Sequence, residues 1–208
     1  FLVVVQGARA QLPWGLVDGT WNNNQSNQAW LSGSTPVPWL IVGTGAIFNG
    51  GGGNVTVSAV NATGLTFSAP GYTLAGATDT QSLITSIGAN FTLNAAAPAT
   101  IAVAGIAGTG STTLAKDGSA RIALSSTLVG FSRVQVNAGE LAVSGTAINH
   151  SSTHFVLADA ADAVLSFDLS AVVALIGDLS GGGSTGGVVR PGGTAPLTLT
   201  LAGATDAT

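Results

Sequence analysis

Residues 55–74 read VTVSAVNATGLTFSAPGYTL, and their alternation decides the fold class. Val55-Thr56-Val57, Leu65-Thr66-Phe67 and Tyr72-Thr73-Leu74 are apolar–polar–apolar triplets. A period of two puts residues i and i+2 on one side of an extended strand. The branched or aromatic members then face a core, and the threonines face outward. Asn61-Ala62-Thr63-Gly64 and Ala69-Pro70-Gly71 separate the triplets with residues that favour turns.

The same texture runs on from about residue 46. Phe91-Thr92-Leu93, Ile101-Ala102-Val103, Ile122-Ala123-Leu124, Val134-Gln135-Val136 and Leu141-Ala142-Val143 repeat it, and Leu197-Thr198-Leu199-Thr200-Leu201 ends it. Strands of only three to five residues are predicted. An antiparallel sandwich or barrel accommodates such a list, and so does a coil of short parallel strands. Three features favour the coil. The runs are shorter than the usual strand of about five or six residues. Hairpin dipeptides between runs are scarce, Asn49-Gly50 and Asp117-Gly118 being the main cases. The pattern resembles itself at intervals of roughly 20 to 25 residues, within the solenoid range. Residues 160–179 suit either a helix or two strands, Val164–Leu169 and Val172–Ile176. Phe167 and the valines favour the strands.

Composition points the same way. Charged residues make up 7 % of the 208-residue chain, against about 25 % in an average soluble domain. Surface helices need charged faces and i,i+4 pairs, and this chain has too few charges to build them. Net charge is −4. Arg9, Lys116, Arg121, Arg133 and Arg190 are scattered, with no basic patch for nucleic acid or for an anionic membrane. Cysteine is absent, which excludes disulfide staples and thiolate metal sites.

The amino-terminal part differs. Phe1-Leu2-Val3-Val4-Val5 followed by Ala8-Arg9-Ala10 predicts the remnant of a secretion signal over residues 1–10. A short buried first strand is the other reading. Residues 11–45 hold all four tryptophans, Trp14, Trp21, Trp30 and Trp39, around the polar stretch 22–28. Tryptophans this close together pack on one another or cover the end of a core. An aromatic platform for sugar rings is the functional alternative. Residues 46–208 form the predicted repeat region.

Residues 104–145 read AGIAGTGSTTLAKDGSARIALSSTLVGFSRVQVNAGELAVSG. This resembles the autotransporter-associated β-strand repeat of bacterial surface proteins, most closely over Val134 to Leu141. Ile176-Gly177-Asp178-Leu179-Ser180-Gly181-Gly182-Gly183 is a second echo of such passenger regions, and Gly19-Thr20-Trp21 resembles their opening. The corner usually written Asn-Thr-Tyr-x-Gly is replaced by Ser126-Thr127-Leu128-Val129-Gly130-Phe131. The resemblance implies an all-β right-handed parallel β-helix with a Trp-rich amino-terminal cap. It also implies a secreted or cell-surface passenger of the bacterial outer membrane, acting as a stalk or adhesin-like surface. The expected partners are surface glycans or proteins. Membrane attachment would run only through a translocator domain outside this sequence.

No residues are assigned to catalysis, to a cofactor or to a metal. His150 and His154 share a spacing that suits a metal pair, but a polar exposed loop is expected there. Asp159, Asp162 and Asp168 are the main acidic cluster. A polysaccharide lyase or glycosidase on a β-helix would use such paired carboxylates, with a basic residue such as Arg133 or Arg190 beside them. Turn capping is the plainer expectation. Residues 181–187, GGGSTGG, superficially suggest a phosphate loop, but they lack the Lys-Ser/Thr ending and a helix, so a flexible turn is expected. Asn-x-Ser/Thr sites at Asn54, Asn61 and Asn90 carry little weight in so Asn- and Thr-rich a chain.

Overall fold

The computed structural model describes residues 11–39, 44–76, 82–145, 148–169, 173–194 and 196–203. The expected signal remnant at residues 1–10 lies outside them. Every regular element among the described residues is a strand, so residues 160–179 take the β alternative, as strands Val164–Leu169 and Val173–Gly181.

Two long sheets carry the chain. The 11-stranded first sheet holds Gln11–Pro13, Gly45–Phe48, Gly64–Phe67, Asn90–Ala95, Gly105–Asp117, Thr127–Val136, Ile148–Leu157, Val173–Gly181 and Thr198–Leu201 in chain order, with Val60–Ala62 and Leu83–Ser86 beside them. The 8-stranded second sheet holds Gly19–Trp21, Gly53–Val57, Tyr72–Gly76, Ala99–Ala102, Ile122–Leu124, Glu140–Gly145, Val164–Leu169 and Val188–Pro191. The chain visits the two sheets in turn, and every pairing within them is parallel. One antiparallel hairpin, Trp30–Ser32 with Thr35–Val37, stands apart. Parallel pairing of chain-order neighbours requires the chain to return to the same side before each new strand. One return is a rung. In the first sheet the register runs Leu12–Ala46–Leu65–Leu93–Lys116–Val136–Leu157, so the first rung takes 34 residues and the following ones between 19 and 28.

Several strands are longer than the three to five residues expected. Gly105–Asp117 has 13 residues, and Thr127–Val136 and Ile148–Leu157 have 10 each. Each spans two ladders joined at a bend. Residues 105–107 continue the ladder of Leu83–Ser86, whereas residues 113–117 pair with Asn90–Asn94. The register shifts between Ala107 and Thr112, where the chain turns the corner. Short period-two runs on either side of a corner look separate in the sequence.

Inward positions stack in columns. Val55, Leu74, Ile101, Leu124, Val143 and Phe167 form one in the second sheet. Phe91, Leu114, Val134 and Phe155 form another in the first. All of these side chains are buried. Because each strand bonds to the strand of the next rung, the backbone is satisfied without charged surface residues. That is why 7 % charge suffices.

The first rung bears the tryptophans, and all four are buried, at most 2 % exposed. Trp30 lies 4.5 Å from Trp39 and 5.1 Å from both Trp14 and Trp21, centroid to centroid. The rings meet mostly edge to face, the arrangement their quadrupoles favour. Trp30 also touches Phe48, which stacks on Phe67 of the next rung at 5.0 Å and 14°. The aromatic cluster is thus continuous with the core columns. Asn27 Nδ2 donates to the carbonyl oxygen of Thr20, and Gly15 N donates to that of Ala29.

Among the described residues, one charged side chain faces inward. Lys116 occupies the column position between Leu93 and Val136 and is fully buried. Its Nζ donates to the carbonyl oxygens of Asp117, Gly118 and Ala138 at 2.9, 2.8 and 2.9 Å. These carbonyls belong to two stacked turns, in which Gly118 and Gly139 adopt φ of +75° and +65°. A Cβ on Gly139 would lie 2.5 Å from the Gly118 carbonyl oxygen, so these turns stack only with glycine there.

Candidate functional site

The outward faces carry what chemistry the chain has. On the second sheet, register brings together residues far apart in sequence. Glu140 Oε2 accepts from an Arg190 guanidinium nitrogen at 3.1 Å, and its Oε1 accepts from Ser166 Oγ at 2.5 Å. Arg121 Nε lies 3.6 Å from Glu140 Oε1, and its other end pairs with Asp168. Burial alone would raise the Glu140 pKa. The Ser166 hydrogen bond and the charges of Arg190 and Arg121 outweigh it, so the carboxyl sits below the usual glutamate value. Two cations thus face two carboxylates across four rungs. The group is self-neutralised, which suits a clasp between rungs better than a seat for a charged substrate.

On the first sheet, His154 Nε2 lies 2.7 Å from Ser180 Oγ and 3.5 Å from Asp178 Oδ2. Serine, histidine and aspartate together invite comparison with a hydrolytic triad. The geometry differs in one decisive respect. A triad needs the carboxylate on Nδ1, so that Nε2 is free to take the serine proton. Here both partners share Nε2, so Asp178 competes with Ser180 for one nitrogen.

The loop expected over His150–His154 is instead part of the strand Ile148–Leu157. The two rings also have different surroundings. His150 is buried, with its ring 6.1 Å from that of Phe155, and burial lowers its pKa. The His154 side chain is 38 % exposed. A register irregularity between them breaks the strict alternation that would have set them on one face. Among the described residues, no group of three or more His, Asp or Glu is placed to hold a metal ion.

The three aspartates take separate tasks. Asp159 Oδ1 accepts from the backbone N–H of Thr185 at 2.9 Å and of Gly186 at 3.1 Å, and from Thr185 Oγ1 at 2.8 Å. The Thr185 bonds lead in lowering its pKa. The glycine-rich loop over residues 181–187 therefore already wraps an anion of its own chain, and those N–H groups have no capacity left for a phosphate. Asp162 Oδ2 accepts from Gly139 N in the turn of the previous rung. Asp168 belongs to the arginine–glutamate group. Of the expected basic partners, Arg190 joins Asp168 in that group through Glu140. Arg133 lies on the other sheet, beside His154 in register.

The tryptophans present no free ring face for a sugar, because each is buried against its neighbours. Sequence inspection missed Glu140 and Ser180 as site members. The only signal for them was a register that brings residues roughly one rung apart side by side. In comparisons with family models, curated proteins and solved structures, nothing matches the chain.

Proposed function

We propose that the chain is a right-handed parallel β-helix, with its Trp-rich first rung as an amino-terminal cap. On this reading it is a non-enzymatic scaffold that presents polar faces outward. It resembles the passenger region of autotransporters: secreted or displayed at a bacterial surface, a stalk or adhesin-like contact surface for glycans or proteins.

One observation carries the reading. Two sheets keep parallel register in chain order from Gln11 to Leu201, and their outward columns are mostly Thr, Asn, Ser and Ala. A stack of this kind supplies reach and a repeating polar surface. The aromatic cluster supports the cap, since an uncovered rung would expose strand edges and core. The self-paired charges and the shared Nε2 of His154 supply no reacting centre that would favour an enzyme.

Small-angle scattering of the purified chain tests the scaffold. A rod-like distance distribution with a constant cross-section is expected, and a compact globular profile would overturn the reading. Protease added to intact source cells tests display. Cleavage of this chain while cytoplasmic markers survive is the expected result, and full protection removes the surface assignment.

A further inference from the structure

Gly45 and Gly64 stand side by side in an outward column of the first sheet, between Gln11 and Thr92. Where the flanking rungs carry side chains, these two carry none. The gap is a trough of about 190 Å³, bordered by Gln11, Thr66, Thr92 and Asn94. At about 30 Å³ per water it has room for about six waters. That suits one sugar ring, and it falls short of the roughly 300 Å³ a larger cofactor needs.

The rim chemistry is specific. Gln11 and Asn94 are exposed, Thr66 and Thr92 are half-buried, and the glycine floor is buried. Two amides and two hydroxyls supply both donors and acceptors. Among the described residues none of these four side chains has a hydrogen-bond partner, and no lining residue is charged. Ligands of net charge would desolvate there without compensation.

The two glycines differ in necessity. A Cβ on Gly64 would lie 2.7 Å from the Thr92 carbonyl oxygen, so the stacking itself requires glycine at that position. A Cβ on Gly45 would meet only the flexible Gln11 side chain at 3.4 Å and backbone at 3.7 Å, which are ordinary contacts. The backbone thus does not impose the opening at 45. Glycine in a strand leaves no side chain to pack, and it marks a bulge, a bend, or close approach of a ligand or another backbone; at 45 no backbone approaches closely.

We infer that this trough is a saccharide subsite that takes one uncharged sugar ring, with Gln11, Thr66, Thr92 and Asn94 hydrogen-bonding its hydroxyls. The inference rests on reading the polar faces as contact surfaces. No aromatic ring lines the trough, so affinity for a single ring is weak, with Kd about millimolar.

Saturation-transfer NMR on the full chain, with neutral oligosaccharides of glucose, galactose, mannose and N-acetylglucosamine, tests it. Gly45→Val fills the trough, and Asn94→Ala removes one amide. At least one neutral sugar is expected to bind the native chain, and about tenfold more weakly to either variant, with circular dichroism unchanged. Should Gly45→Val fail to fold, Asn94→Ala and Gln11→Ala carry the same comparison. No transfer from any of these sugars, or transfer that all variants leave intact, overturns the subsite. Rod-like scattering without sugar binding would remove the subsite and keep the scaffold. Sugar binding to a compact chain would do the reverse.

Discussion

The Nζ of Lys116 lies 2.9 Å from the carbonyl oxygen of Ala138, one rung further along. This bond ties the turn at Asp117-Gly118 to the turn at Ala138-Gly139 from inside the core. Lys116 is the only lysine in the chain. Lys116→Met keeps the apolar stem and strips three half-buried carbonyls of their donor. Unpairing them costs about 1–3 kcal/mol, and removing the buried charge returns part of it, so only a small fall in urea midpoint is expected at pH 7.

The same residue sets a pH dependence. Burial lowers the Lys116 pKa from 10.5 to about 8, against the pull of Asp117 and Asp162. Below pH 8 both folded and unfolded chains hold the proton, and the cost of burying the charge is fully present. Between 8 and 10.5 the folded chain releases it first, so the unfolded chain binds more protons and stability rises with pH. Urea midpoints of the native chain should climb from pH 8 to 10, while those of Lys116→Met stay flat. A native midpoint that falls over this window would refute the assignment.

Glu140 works in the opposite range. Its folded pKa lies below the ordinary value of 4.5, because Ser166, Arg190 and Arg121 outweigh the effect of burial. Its contribution is complete above that value and disappears as pH falls through the folded pKa. Glu140→Gln should cost about 1 kcal/mol at pH 7. As pH falls through the folded pKa the two proteins should converge in stability. High salt should narrow the difference at pH 7, since the arginines are partly exposed.

His150 predicts acid sensitivity. Burial lowers its pKa below 6.5, so on acidification the unfolded chain takes up the proton first. Melting temperature should drop as pH falls from 7 to 5. His150→Phe, which keeps a ring beside Phe155, should lessen that slope. Equal slopes would show that other groups dominate.

Trp30 touches Trp14, Trp21, Trp39 and Phe48. Trp30→Ala should cost about 3–5 kcal/mol. Red-shifted emission from the remaining tryptophans would report water entering the first rung. An unchanged spectrum and midpoint would mean that the cluster repacks.

Much of the strand placement was legible in the triplets, because period-two alternation is a local property. Val55-Thr56-Val57 and Tyr72-Thr73-Leu74 needed nothing but their own residues. The corners were not legible, since a strand that bends between Ala107 and Thr112 looks like two. Lys116 could have been placed: Leu114 faces inward, so residue 116 does too, whatever its charge. The charge groups could not. Arg121 and Asp168 stand 47 residues apart, and Arg190 and Glu140 stand 50 apart. Rungs of unequal length hide such pairs until the register is known. His150 and His154, expected in an exposed loop, stand instead in a strand, where a register irregularity between them gives them different surroundings.

The parallel ladders also set how the molecule bears load. Bonds within a ladder run across the strands, along the direction of stacking. Tension applied along the stacking direction therefore opens one ladder at a time, as a zip opens, while the bonds of the next remain unstrained. A pull along the strands would instead load a whole ladder in shear and meet far greater resistance.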